Sequence, residues 1–401
     1  MKIISRKDYA ERIDAWLGKE QIIVLVGQRR VGKSFVMKDF VARHKDAPDS
    51  NIIYIDKEKK AFNFIRNYED LNAYIDEHFV ADSHNYILID EVQDIEGWEH
   101  SVRSYRTEED TDVIITGSNS KMLSGELSTL LGGRYEEIHI QSLSYLEFLD
   151  FHALDDSEEA LWQYFNYGGL PGLRNIGLDN EDMVGEYLSG VFNTIMLKDV
   201  IERHTIRNIP FLNNLITFMA DTVGKLNSAS SIAKYMKSQG QDISTNIVLS
   251  YMAYFGEAFL TYSAGRYDIH GKRLLESNDK CYFGDVGLRN FIAGGERSND
   301  IEKVMENVVY LHLLRLGYEV KVGQLRAGEI DFVCSKTGKK AYVQVSYLIA
   351  NDETRKREFG NLRLIGDDYS KYVISASPLL KRSDDEGVTH IHIREFLKNG
   401  L

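Results

Sequence analysis

Eight residues, Gly27-Gln28-Arg29-Arg30-Val31-Gly32-Lys33-Ser34, stand between a short apolar run, Gln21–Val26, and a helical stretch, SFVMKDFVARH. The spacing GxxxxGK[ST], placed after a strand and before a helix, suits a loop that grips a phosphate chain. The glycines let the backbone curl until its N–H groups face inward, and the helix N-terminus adds a partial positive charge. In such a loop Lys33 reaches the β- and γ-phosphates, and the Ser34 hydroxyl ligates Mg²⁺. Gln28, Arg29, Arg30 and Val31 line the curl, and Phe35 follows it into the helix. The plain alternative is a glycine-rich turn with an incidental lysine, and the surrounding elements decide between the two.

Such a loop needs acids opposite it. NYILIDEVQD, Asn85–Asp94, is an apolar strand that ends in Asp90-Glu91. Ligands of open α/β sheets bind at the carboxyl ends of strands. Asp90 is therefore expected to hold Mg²⁺ and Glu91 to polarise an attacking water. DVIITGSNS, Asp112–Ser120, is another apolar strand that ends in small polar groups. NIIYID (51–56) and YEEIHI (135–140) complete five candidate strands, with helical stretches between most of them. This order predicts an α/β fold, a doubly wound parallel sheet.

LLGGRYEEIHIQSLSYLEFL follows the sheet. With the arginine-rich phosphate loop, LIDE at 88–91, TGS at 116–118 and Gly133-Arg134, it resembles predicted ATPases of the AAA+ superfamily from bacteria and archaea. QSLSYLEF departs from the PLSFxEF-like pattern of that family by lacking its proline. The resemblance implies a P-loop NTPase core that binds ATP and Mg²⁺ and hydrolyses ATP. The third strand would then lie between the first two, with Ser118 or Asn119 near the γ-phosphate. Arg134 becomes the candidate arginine finger, in its own or a neighbouring subunit. Arg29 and Arg30 either add anion affinity or pair with acids elsewhere. The GGLP element at 168–171 resembles part of the family's helical lid.

Beyond the core the expected domains are 1–145 (ATPase), 146–210 (helical lid), 211–300 (winged-helix-like) and 301–401 (nuclease-like). SSIAKYMKSQG and ISTNIVLSYMAYFGEAFL read as two helices, the second capped by Ser244 or Thr245, and the following segment as a hairpin turning near Gly271. The start of the second helix offers small polar groups and no arginine, so DNA and protein contact stand level. The helix–strand–strand order after Ile301 resembles the PD-(D/E)XK nuclease fold. Carried over by position, its site is Glu306, Asp331 and Gln344-Val345-Ser346. Gln344 stands where a carboxylate is expected and Ser346 where a lysine is, so cleavage is expected to be lost. Glu306, Glu329 and Asp331 remain candidates for weak metal binding.

The 401 residues, 43% hydrophobic and 27% charged, can bury more than one core. The formal net charge of −13 argues against a chain that coats nucleic acid. Cys281 and Cys334 make no disulfide framework, and the N-terminus has no apolar signal core. A cytoplasmic protein without a membrane span is expected. The function expected is Mg-dependent ATP hydrolysis by an AAA+ ATPase that moves its C-terminal module. An ATP-gated DNA-binding regulator is the alternative, and a protein partner and a homo-oligomer remain open.

Overall fold

The structure is a computed structural model that describes residues 4–117, 124–294, 300–326, 328–349, 351–378 and 382–401. Ser118 and Asn119 lie outside the described residues. The chain divides into two compact units, Met1–Gln141 and Ser142–Leu401.

The first unit is built on β1 (Ile22–Val26), β2 (Ser50–Asp56), β3 (His84–Asp90), β4 (Thr111–Thr116) and β5 (Tyr135–His139). Their order is β2-β3-β4-β1-β5, and every neighbouring pair is parallel. All five residues of β1 are buried, as expected of a strand covered on both faces. The crossovers include the helices Lys33–His44, Tyr68–His78 and Trp98–Tyr105. Asn67 caps the second of these by accepting from the Asp70 amide at 2.9 Å. Register brings the carboxyl ends level: Asp56 lies beside Asp90, Ile89 beside Ile115, and Leu25 beside Thr116. The insertion of β4 between β1 and β3 is the arrangement the sequence led us to expect.

The second unit opens with helices at Tyr145–His152, Glu158–Tyr167 and Glu181–Thr194. The second ends at Gly168, whose φ of 73° is open to glycine at little strain. A side chain there would also meet the Asp285 carboxylate at 2.4 Å. The stretch after Thr194 winds as a π-helix over Ile195–Ile201. The helices Ala229–Ser238 and Thr245–Glu257 form where expected, the latter capped by Ser244.

The sheet of this unit runs across the expected boundary near residue 300. Its strands are β6 (Leu226–Asn227), β7 (Thr261–Asp268), β8 (Arg273–Phe283), β9 (Glu319–Leu325), β10 (Gly328–Lys336), β11 (Lys339–Ser346), β12 (Ser370–Ser375), β13 (Arg382–Asp385) and β14 (Val388–His392). They run β13-β14-β12-β11-β10-β9-β7-β8-β6. The β7–β8 hairpin is thus not a free wing, because β7 pairs in parallel with β9 from Arg266 to Asp268. The segments 211–300 and 301–401 share one sheet and one compact unit. Helix Ile301–Arg315 packs on this sheet.

Candidate active site at the carboxyl end of the parallel sheet

The loop after β1 turns by three residues with positive φ: Gly27 at 146°, Arg30 at 71° and Gly32 at 97°. Gly27 has no alternative, since a Cβ there would stand 2.1 Å from the Ile140 carbonyl oxygen. Gly32 then caps helix Lys33–His44, whose first turn holds Lys33 and Ser34. The Lys33 ammonium is buried and donates to the carbonyls of Gly27 at 2.8 Å and Gln28 at 3.1 Å. It therefore lies over the curl of the loop.

The acids meet the loop. The Ser34 hydroxyl lies near the Asp90 carboxylate, which is 1% exposed. Thr116, at the end of β4, donates to Asp90 Oδ1 at 2.5 Å and accepts from the Glu91 amide at 3.0 Å. Tyr54 on β2 donates to Asp90 Oδ2 at 3.2 Å. Burial raises the Asp90 pKa, the hydrogen bonds of Thr116 and Ser34 oppose that rise, and the nearby charges of Glu91 and Asp56 add to it. Glu91 has left-handed backbone, φ 57° and ψ 53°, and its Oε2 accepts from Gln93 Nε2 at 2.5 Å. A non-glycine residue in that region is strained, as is common where a side chain is aimed for function.

These groups fit a metal–nucleotide. A hydroxyl and a carboxylate in mutual contact supply the hard oxygen ligands that Mg²⁺ prefers, with room needed for phosphate and water. The Gln28 amide is 2% exposed, and neither of its polar atoms has a protein partner among the described residues. Buried polar groups are seldom left so, and a polar ligand at the loop would satisfy it.

The remaining expected residues divide. Val31 is buried, Arg30 and Phe35 are exposed, and Arg29 is partly exposed with a partner of its own. Arg134 is exposed and lies at the opposite, amino-terminal end of the strands. Its carbonyl accepts from Ile22 at the start of β1, whereas the loop follows Val26 at the end. At ~3.3 Å per residue those ends are about 13 Å apart. The structure therefore does not bring Arg134 to its own loop.

Two residues escaped sequence reasoning. Thr116 links both acids, and its signal was available: it ends an apolar strand beside the one that carries Asp90. Arg6 is buried, stacks 4.6 Å over the ring of Tyr9, and donates to Val31 O at 3.1 Å and Gln141 O at 2.9 Å. It ties the loop to the end of the unit across 135 positions of sequence, a pairing that no local pattern reveals.

This fold and loop are those of an AAA-type domain. Residues 19–149 match the family described as AAA domain, and residues 158–299 match a domain of unknown function, DUF8612. The chain belongs to the same family as an uncharacterized protein of Haemophilus influenzae, which is 34% identical over 98% of both chains. An uncharacterized protein of Methanocaldococcus jannaschii is 28% identical over 89% of this chain and 80% of its own. Among solved structures, the Walker-type ATPase PABY2304 of Pyrococcus abyssi aligns with a TM-score of 0.51 at 14% identity, covering 72% of this chain and 96% of that one. That likeness concerns the fold. Among the described residues no helix is long and apolar enough to cross a membrane.

Proposed function

We propose that the protein binds Mg–ATP in the loop Gly27–Ser34 and hydrolyses it, and that turnover drives the second unit. The observation that carries this reading is the linking of Asp90 and Glu91 through Thr116, beside Ser34 at the start of the loop's helix. Lys33 and the loop amides would hold the triphosphate, and Ser34 with Asp90 would hold Mg²⁺. When bound, Mg²⁺ would neutralise charge on the phosphate oxygens. Glu91 would orient and deprotonate the attacking water, with its backbone fixed by Thr116. Phosphoryl transfer asks for positioning and electrostatics rather than covalent chemistry, and these groups provide both. Steady-state ATPase assays of the wild type, Lys33→Ala and Glu91→Gln test this reading. Turnover abolished by Lys33→Ala and strongly slowed by Glu91→Gln, with nucleotide binding kept in Glu91→Gln, supports it. Unchanged turnover in either variant removes it.

Arg134 would serve a neighbouring copy, since its place at the far end of the strands keeps it from its own loop. A guanidinium supplied in this way offsets the charge of the transferring phosphoryl group. This reading implies an assembly in which one copy's Arg134 meets the next copy's loop.

For the effector, a protein is favoured over DNA. Tyr235, Ile247, Leu249 and Leu274, on the two helices and the hairpin of the winged-helix-like segment, are exposed apolar residues. The first turn of helix Thr245–Glu257 has no cation to meet phosphate. Anisotropy titration with duplex DNA at two salt concentrations, with and without ATP, discriminates. Salt-sensitive, ATP-dependent binding would reinstate the DNA-binding regulator.

A further inference from the structure

Three carboxylates of the second unit converge on one ammonium group. Lys280 Nζ lies 2.9 Å from Glu306 Oε1, 2.7 Å from Glu329 Oε1 and 3.1 Å from Asp331 Oδ1. Lys280 itself is 3% exposed. Glu306 comes from helix Ile301–Arg315, Glu329 and Asp331 from β10, and Lys280 from β8. The nuclease-like resemblance predicts a divalent metal among Glu306, Asp331 and position 344. The lysine that resemblance expects at 346 is Ser346 instead.

The surroundings are built around the ammonium. Tyr282, two residues along the same strand face, donates to Glu306 Oε1 at 2.6 Å. Asp331 Oδ2 accepts from the Val345 amide at 2.9 Å, which holds the carboxylate from behind. Gln344 Oε1 accepts from the Asp331 amide at 3.4 Å, and the Glu358 carboxylate is paired with Arg357 at 2.7 Å. Gly224, with φ 72°, passes so close to Glu306 that a Cβ would stand 3.1 Å from both carboxylate oxygens.

We infer that the Lys280 ammonium takes the place of a metal ion, so that this nuclease-like site is held together by an internal cation and binds no divalent metal. Three nearby oxygens at hydrogen-bond rather than coordination distance, around a buried ammonium, match a lysine with its three donors. A dication drawn to the same oxygens would have to displace the ammonium that stands between them, and among the described residues no group of three His, Cys, Asp or Glu side chains is placed to hold a metal ion. The residues therefore do not fit the metal that the resemblance implies, and the loss extends beyond Gln344 and Ser346. The ammonium also explains why the hairpin and the last hundred residues share a sheet: β8 carries the counter-charge for acids of the neighbouring segment. This inference is independent of ATP hydrolysis in the first unit.

The test uses the full chain with Asp90→Asn throughout, so that Mn²⁺ reports on the second unit. Mn²⁺ binding is followed by electron paramagnetic resonance and by the Tm, without nucleotide. The parent is expected to show no Mn²⁺-dependent rise in Tm. Lys280→Ala, which removes the cation and leaves a space, is expected to bind Mn²⁺ at least ten times more tightly than the parent. Its Tm should fall in EDTA and recover with Mn²⁺, and adding Asp331→Asn should abolish that recovery. Lys280→Met, which removes the charge but fills the space, is expected to be destabilised without recovery. Parent binding of Mn²⁺ that is lost on Glu329→Gln or Asp331→Asn overturns the inference, even if Lys280→Ala fails to fold. Mn²⁺-dependent cleavage of plasmid that is lost on Lys280→Ala also overturns it, by making Lys280 a catalytic lysine.

Discussion

Thr116 donates a 2.5 Å hydrogen bond to Asp90, so the end of β4 fixes the end of β3. The same hydroxyl accepts from the Glu91 amide and thereby sets the direction of the neighbouring acid. Thr116→Val keeps the shape and removes both bonds. A hydrogen bond to a charged group contributes about 1.5–3 kcal/mol. We expect kcat to fall on the order of ten- to a hundredfold, with a smaller change in ATP affinity, and Thr116→Ser to restore most of it. Steady-state kinetics alongside nucleotide titration checks this, and normal turnover by Thr116→Val would remove the link between the acids.

Gly27 is expected to tolerate no side chain. A Cβ would stand 2.1 Å from the Ile140 carbonyl oxygen, in a backbone conformation that L-residues rarely adopt. Forcing it there should destabilise the first unit by about 3 kcal/mol. Differential scanning calorimetry of Gly27→Ala should show the first unit's transition lowered, together with loss of nucleotide binding.

Arg134 offers a test by mixing. Arg134→Ala retains its own loop, and Lys33→Ala retains its own Arg134. If a finger acts between copies, each variant is inactive alone, and a mixture regains part of the turnover. A chain that works as a monomer would leave Arg134→Ala fully active.

What could be read in the sequence follows physical range. The phosphate loop, the acid-ended strand β3 and the parallel order were legible because each depends on local pattern: apolar runs of strand length, glycines at fixed spacing, acids at a strand end. The pairing of Asp156 with Arg394 at 2.8 Å and Lys398 at 2.8 Å was not, since it joins residues 238 and 242 positions apart. Lys280 was read only as part of a hairpin, because its acids arrive from a segment that begins after residue 300. The boundary drawn there separated a cation from its counter-charges. The π-helical turn at Ile195–Ile201 also escaped, because its apolar spacing passes for an ordinary helix.

Two partly buried histidines predict how stability depends on pH. Burial lowers the His312 pKa to about 3, with Arg315 adding to the effect, and lowers the His152 pKa to about 4. Unfolded histidine takes up its proton near pH 6.5. The unfolded chain therefore binds more protons than the fold between those values, so stability is full above about pH 6.5 and falls as the pH drops below it. Each such histidine contributes a slope of up to about 1.4 kcal/mol per pH unit. Urea unfolding at pH 7.5, 6.5 and 5.5 should show the decline, and His312→Gln should make it shallower.

The most direct measurement is single-turnover and equilibrium binding of ATP with Mg²⁺ to the wild type, Lys33→Ala and Glu91→Gln. The account predicts that Lys33→Ala loses nucleotide binding. It predicts that Glu91→Gln binds ATP with near wild-type affinity but hydrolyses it on the order of 10²–10⁴ times more slowly. Glu91→Gln cleaving ATP at the wild-type rate, or Lys33→Ala binding it normally, would contradict the claim that this loop and these two acids form one catalytic site.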